Sequence, residues 1–108
     1  MGRMKRLESI SDYAAREKEP LFIVFKHSTA CGRSALARRE ALEFLDARPD
    51  VEIYEVRVLE QRDLSDHIER ATGIRHESPQ LLVLREGALH WHGSHSGVTA
   101  EAIASAVD

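Results

Sequence analysis

The sequence of 108 residues is poor in cysteine and contains only Cys31. A single cysteine excludes an internal disulfide, which fits a reducing compartment, so we expect the protein in the cytoplasm. No apolar run approaches the roughly 20 residues of a membrane span, and none has the pattern of a signal peptide. The chain also lacks an excess of positive charge, with a formal net charge of −3. Neither nucleic acid nor a membrane is therefore an expected partner.

The composition is otherwise that of an ordinary globular protein. Hydrophobic residues make up 43% of the chain and charged residues 31%. A chain of this length can form a core without disulfides or metal ions, and we expect one domain over residues 1–108. The basic stretch Met1–Arg6 is expected to be a frayed lead-in to this domain.

The most informative stretch is Lys26-His27-Ser28-Thr29-Ala30-Cys31-Gly32-Arg33-Ser34. It follows the apolar run 21–25, which is typical of a buried strand, and it precedes a helical pattern that extends to about Ala47. Cys31 is thus predicted where a strand ends and a helix begins, and free amides and the helix dipole stabilise a thiolate there. The alternative is an inert buried cysteine. The polar neighbours, with positive charge from Lys26 and Arg33, favour a reactive thiol.

The rest of the chain alternates between helical and extended patterns. We predict helices over 7–18, 32–47, 63–72 and after Thr99, and strands over 21–26, 51–58, 81–85 and 88–92. Strands joined through a helix are parallel, whereas the tight turn at Glu86-Gly87 makes the last two strands an antiparallel hairpin. This order resembles the thioredoxin-like fold, an α/β architecture. We expect a four-stranded mixed sheet, a βαβ unit plus a β-hairpin, flanked by helices and preceded by an extra N-terminal helix.

The position of Pro79 supports the same resemblance. In the thioredoxin-like fold a reactive cysteine begins the helix after the first central strand, and a cis-proline that faces it precedes the third. Cys31 and Ser78-Pro79 hold these positions in the sequence. The resemblance therefore predicts a cis Ser78–Pro79 bond, although only about one X–Pro bond in twenty is cis in proteins generally.

Three segments resemble the monothiol bacilliredoxins, the YtxJ-like redox proteins of the bacillithiol system. They are residues 26–31 with Ser34, residues 72–80, and residues 91–95 followed by Val98-Thr99. With the order of elements, the resemblance extends over nearly the whole chain. The family usually has Cys-Pro-Ile-Ser where this sequence has Cys31-Gly32-Arg33-Ser34. The missing proline loosens the first helical turn, and Arg33 adds positive charge.

The resemblance implies a thiol–disulfide oxidoreductase that removes bacillithiol from bacillithiolated proteins, with a role in the stress response. The Cys31 thiolate attacks the bacillithiol sulfur of a mixed disulfide, releases the protein thiol and retains bacillithiol. Since Cys31 has no second cysteine to resolve it, a low-molecular-weight thiol or a second redoxin completes the cycle. The resemblance implies no cofactor, with bacillithiol as co-substrate, and we expect a monomer or a weak homodimer.

Further candidate site residues lie near Cys31 in the motifs. The candidates for tuning the thiolate are Ser34, Thr29, His27 and Gly32, and the candidates for binding the substrate are Arg33, His76, Ser78, Pro79, His92 and His95. Ser34 can donate a hydrogen bond to the thiolate, or it is an ordinary helix residue. His27 approaches the thiolate or faces solvent. No metal site is predicted, because the histidines of 90–95 have no carboxylate or cysteine at a recognisable ligand spacing.

Two other classes of function remain compatible with the sequence. One is a non-catalytic thioredoxin-like module that docks a partner beside Pro79, which predicts an ordinary pKa for Cys31. The other is a monothiol glutaredoxin-like carrier of an iron–sulfur cluster between two protomers, because the usual Cys-Gly-Phe-Ser of such carriers nearly matches residues 31–34. The flanking segments favour the bacilliredoxin. The lack of a resolving cysteine disfavours a peroxidase.

Overall fold

The computed structural model describes residues 3–108, and within this range the chain forms a five-stranded mixed sheet in the order β1-β3-β2-β4-β5. The elements are β1 (Arg3–Arg6), α1 (Ile10–Arg16), β2 (Phe22–His27), α2 (Gly32–Ala47), β3 (Glu52–Arg57), α3 (Arg62–Thr72), β4 (Gln80–Arg85), β5 (Ala88–Ser94), a 3₁₀ helix (His95–Gly97) and α4 (Ala100–Val107). Strands β1, β3 and β2 are parallel, and β4 and β5 are each antiparallel to the preceding neighbour in the sheet. The predicted βαβ unit and β-hairpin are therefore confirmed. None of the helices in this range has both the length and the apolar character to cross a membrane.

The first described residues form an edge strand, so the expected frayed lead-in is wrong for residues 3–6. Strand β1 pairs with β3 from Arg3 opposite Glu52 to Arg6 opposite Glu55. The sheet consequently has five strands, one more than predicted. Basic residues hide this strand in the sequence, and Met4 packs against the hydrophobic core. Met1 and Gly2, which the same expectation included, lie outside the described residues.

Helix α1 is shorter than predicted and begins at Ile10, because Ser9 caps it. The Ser9 hydroxyl accepts a hydrogen bond from the Asp12 amide at 3.1 Å. Leu7 does not belong to the helix: its amide donates to the Glu55 carbonyl at 3.0 Å, and its side chain is buried. The apolar residues of 7–14 thus come from two elements that share one core cluster.

The sheet has a hydrophobic cluster on each face. Ile23 and Phe25 of β2 pack with residues of α2 and α4 on one face, whereas Phe22 and Val24 pack with residues of α1 and α3 on the other. A strand that is covered on both faces needs apolar side chains at every position, which explains the unbroken apolar run of β2.

The pairing of β2 with β4 determines where the candidate site lies. Lys26, near the end of β2, is opposite Gln80, the first residue of β4. The loop from β2 into α2 and the segment that precedes β4 therefore lie at the same end of the sheet. The Ser78–Pro79 peptide bond is cis, as predicted. The His95 amide donates to the Pro79 carbonyl at 2.9 Å, which attaches the 3₁₀ helix to this end as well.

Candidate active site

Cys31 is the N-cap residue of α2. Its backbone is extended, with φ −116° and ψ 127°, and its carbonyl accepts a hydrogen bond from the Ala35 amide at 3.2 Å. The side chain is partly exposed, and the first turn of α2 has no acidic residue. The sulfur thus occupies the place where a helix usually has a capping oxygen, facing the free amides of the first turn.

These amides stabilise the thiolate form of Cys31. Hydrogen bonds from the backbone amides of Ser34 and Arg33 hold the pKa of the thiol below its ordinary value. Desolvation opposes the two amides to a smaller extent, and the Ser34 hydroxyl and the positive charge of Arg33 lower the pKa of Cys31 by less still. Because a thiolate is the nucleophilic form of cysteine, this geometry favours a reactive thiol over an inert one.

Ser34 also holds the loop that precedes Cys31. Its side chain is 1% exposed, and its hydroxyl oxygen accepts a hydrogen bond from the Ser28 amide at 3.0 Å. The Ser28 carbonyl in turn accepts from the Cys31 amide at 3.3 Å. A hydroxyl that accepts from one group can still donate to another, so Ser34 can order the loop and donate to the thiolate together. Thr29 lies exposed on this loop, and Gly32 has open space where a Cβ would point.

His27 lies inside the protein, which makes the solvent-facing alternative wrong. The residue is 3% exposed, and its ring stacks on Phe25 with centroids 5.1 Å apart. Its Nε2 atom lies 3.2 Å from Glu55 Oε2. His27 is the largest influence that holds the pKa of Glu55 below its ordinary value, and Arg38 adds to it. The structure therefore directs His27 toward β3.

His76 belongs to a buried polar cluster on the α3 side of the sheet. Its Nδ1 atom lies 3.3 Å from Lys26 Nζ and 3.2 Å from Ser65 Oγ, and its amide donates to Glu69 Oε2 at 2.7 Å. Lys26 is 0% exposed, and burial lowers its pKa to about 8. Burial, followed by the charge of Lys26, lowers the pKa of His76.

The sequence does not reveal this cluster. It predicts that Lys26 adds positive charge near the sulfur and that His76 contacts the substrate. Alternation along β2 was the available signal, since Lys26 shares a face with Phe22 and Val24, which pack against α1 and α3. His76 accordingly anchors the segment before Pro79 to α3.

His95 and His92, which the sequence grouped together, lie in different surroundings. The His95 Nε2 atom is 3.0 Å from Glu77 Oε1, and this contact holds the pKa of Glu77 below its ordinary value. His95 therefore joins the 3₁₀ helix to the cis-proline segment through both its side chain and its amide. His92 is exposed on β5 opposite Leu82, whose side chain belongs to the cluster of α1 and α3. It thus lies on the sheet face opposite α2.

A groove runs along the first turns of α2. It has a volume of about 500 Å³ and is lined by residues that include Arg33, Leu36, Arg39 and Glu40 of α2, and His95 and Thr99 across from them. The sequence did not indicate this groove. Within residues 3–108, no group of three or more His, Cys, Asp or Glu side chains is arranged to hold a metal ion.

Comparison with known proteins assigns this arrangement to a family. The chain matches a family model described as monothiol bacilliredoxin BrxC over residues 3–103. A solved structure described as an oxidoreductase candidate with a thioredoxin fold is 32% identical, with a TM-score of 0.92, over 97% of this chain and 94% of that chain.

Thioredoxins of low sequence identity share the fold. Mitochondrial thioredoxin 3 from Saccharomyces cerevisiae is 16% identical, with a TM-score of 0.76, over 94% of this chain and 91% of that chain. Thioredoxin from Trypanosoma brucei brucei is 12% identical, with a TM-score of 0.80, over 96% of this chain and 87% of that chain. At such identities the likeness shows the fold alone. With its thioredoxin-like fold and its family match, the chain is a thiol oxidoreductase that belongs to the monothiol bacilliredoxin family.

Proposed function

We propose that the protein removes bacillithiol, or a similar low-molecular-weight thiol, from protein mixed disulfides by nucleophilic attack of Cys31. The observation that carries this proposal is the placement of the only cysteine at the N-cap of α2. There the amides of Ser34 and Arg33 lower the pKa of Cys31, so more of the thiol is ionised near neutral pH. The family match supports bacillithiol as the thiol that is removed.

The proposed reaction consists of two successive thiol–disulfide exchanges. The Cys31 thiolate attacks the bacillithiol sulfur of the mixed disulfide, a new S–S bond forms and the old one breaks. The substrate protein leaves as a thiolate and takes up a proton. Cys31, now disulfide-bonded to bacillithiol, has no second cysteine in the chain to displace it. A free low-molecular-weight thiolate then attacks the bacillithiol sulfur and restores Cys31, and a second redoxin is the alternative reductant.

The segment before β4 is the proposed docking strip for the modified protein. Ser78 and Pro79 lie at the same end of the sheet as the loop that leads to Cys31. The Glu77–His95 contact and the bond from the His95 amide to Pro79 brace this segment against the 3₁₀ helix. A braced backbone segment next to a strand is suited to pairing with the backbone of a substrate. Because recycling needs reducing thiols, we place the reaction in the cytoplasm.

The test is the release of a substrate thiol from a bacillithiolated model protein in the presence of bacillithiol. The time course, followed by mass spectrometry, is compared for the wild type, Cys31→Ala and Ser105→Ala, the last an exposed residue of α4 that serves as the control. We expect release by the wild type and by Ser105→Ala, and none above background by Cys31→Ala. Equal behaviour of wild type and Cys31→Ala contradicts the proposal and favours the docking module. The same assay with a glutathionylated model protein tests the identity of the thiol. Release from the glutathionylated protein but not from the bacillithiolated one contradicts bacillithiol as the group that is removed.

A further inference from the structure

We propose that the groove along α2 binds the carboxylate-bearing part of the low-molecular-weight thiol that is carried on Cys31. We call it the arginine groove; among its lining residues are Arg33, Leu36, Arg39, Glu40, His95 and Thr99. This inference rests on the proposed exchange at Cys31 and names the chemical class of thiol that the exchange accepts.

Positive side chains outnumber negative ones among the arginines and carboxylates of the arginine groove. Arg33 and Arg39 are exposed, and neither forms an ion pair with a side chain that the structure describes, whereas Arg38 on the next face of α2 pairs with Glu55 at 3.4 Å. Glu40 adds one negative charge to the lining, and its Oε1 atom accepts a hydrogen bond from the Ala100 amide at 2.9 Å, so the two arginines outnumber the one carboxylate. The groove therefore offers two guanidinium groups to a ligand. A guanidinium binds a carboxylate through paired N–H donors.

Arg33 connects the arginine groove to the reactive sulfur. Arg33 lies two residues after Cys31, and its charge is among the causes that lower the pKa of that thiol. On the opposite wall, the His95 amide donates to the Pro79 carbonyl at 2.9 Å. The walls of the groove thus include one residue that acts on the Cys31 thiol and one that is hydrogen-bonded to the cis-proline segment.

The size and the apolar rim of the groove fit a small molecule. A volume of about 500 Å³ lies within the range of small-ligand pockets. Leu36 is 62% exposed, an unusual exposure for a leucine in a chain whose other apolar side chains are mostly buried. It offers an apolar surface to the carbon skeleton of a ligand whose carboxylates reach the two arginines.

The test compares two symmetric disulfides that differ in charge. One is the disulfide of mercaptosuccinate, which has two carboxylates in each half, and the other is the uncharged disulfide of 2-mercaptoethanol. In both reactions the Cys31 thiolate attacks one sulfur, becomes disulfide-bonded to that half and releases the other half as a thiolate. The readout is the ratio of the two second-order rate constants. Any change in the ionised fraction of Cys31 affects both rates equally and cancels in this ratio.

Arg39→Gln is the principal variant, because Arg39 lies about two helical turns beyond Cys31. Arg33→Gln tests the residue nearer the sulfur. Arg70→Gln on α3, an exposed arginine outside the groove, changes the net charge by the same amount and is the matched control. We expect each groove variant to lower the ratio of anionic to neutral rate by about threefold, the effect of losing one exposed charge pair, and Arg70→Gln to leave it unchanged.

The outcomes separate this inference from the proposed function. Equal ratios in all four proteins overturn the arginine groove and leave the exchange at Cys31 intact. If Arg70→Gln lowers the ratio of anionic to neutral rate as much as Arg39→Gln does, the inference is also overturned, because the net charge of the protein then explains the preference for the anionic disulfide. If the wild type reacts with neither disulfide, the proposed function itself is contradicted.

Discussion

Lys26→Met replaces a buried ammonium group by an apolar side chain of similar length. Lys26 is 0% exposed, and burial lowers its pKa from 10.5 to about 8. Near pH 7 the folded protein therefore contains a buried charge that favours unfolding, and the attraction of Glu69 and Asp66 on α3 offsets part of this cost. The methionine removes the charge together with the 3.3 Å contact to His76.

The magnitude follows from the two pKa values of Lys26. They differ by about 2.5 pH units, and each unit corresponds to about 1.4 kcal/mol, so the charged lysine costs the folded state about 3 kcal/mol at neutral pH. The folded pKa is the lower one, so the unfolded chain binds more protons between about pH 8 and pH 10.5. The free energy of unfolding of the wild type consequently rises with pH through this window. Lys26→Met lacks this contribution.

Urea unfolding of both proteins at about pH 7 and about pH 10, followed by circular dichroism, measures the difference. Titration of Cys31 and of the tyrosines is common to both proteins and cancels in the comparison. We expect the wild type to gain about 2 kcal/mol relative to Lys26→Met between the two conditions. Lys18→Met, at an exposed lysine, is the control and should show no such gain. The same pH dependence in wild type and Lys26→Met would refute the argument that burial lowers the pKa of Lys26.

Three further predictions concern the site and its support. Ser34→Ala removes a hydroxyl that lowers the pKa of Cys31, so the midpoint of the pH profile of iodoacetamide alkylation should move to higher pH, and an unchanged midpoint contradicts this role. Gly32→Pro should raise the free energy of unfolding, measured in urea, by about 0.4–1 kcal/mol. Proline is favoured at the first helical position, and Cys31, which would precede it, already has the extended backbone that a residue before proline adopts. A lower free energy of unfolding contradicts this prediction. Glu55→Gln should lower the free energy of unfolding at pH 7, because it removes a buried carboxylate whose pKa the contacts with His27 and Arg38 hold below its ordinary value. The lowered pKa of Glu55 means that the wild type loses this advantage as the pH falls through that value, so a difference as large at pH 3 as at pH 7 contradicts the argument.

The central part of the fold is predictable because its signals are local or follow from connectivity. The apolar run of β2 and the helical pattern after Cys31 define a strand and a helix, and the Glu86-Gly87 turn defines the hairpin. The turn has positive φ at both residues, 51° and 87°, as such a two-residue hairpin turn requires. Strand β1 escapes prediction because three of its four residues are basic, and only its pairing with β3 reveals it.

The site is predictable at Cys31 and less so around it. A cysteine between a strand and a helix becomes an N-cap residue by chain connectivity alone. The partners of His27, His76 and His95 depend on which sheet face or segment each side chain meets, and sequence spacing does not specify them. The arginine groove requires the 3₁₀ helix to pack beside α2, a tertiary contact between distant segments.

The most direct test of the account is the mass of the protein after incubation with a bacillithiolated substrate protein and no free thiol. Without a reductant, the proposed exchange stops after its first step. We predict a mass gain of one bacillithiol on the peptide that contains Cys31, in an amount equal to the substrate thiol released, and no gain in Cys31→Ala. Release of substrate thiol with Cys31 unmodified, or no release at all, would contradict the account.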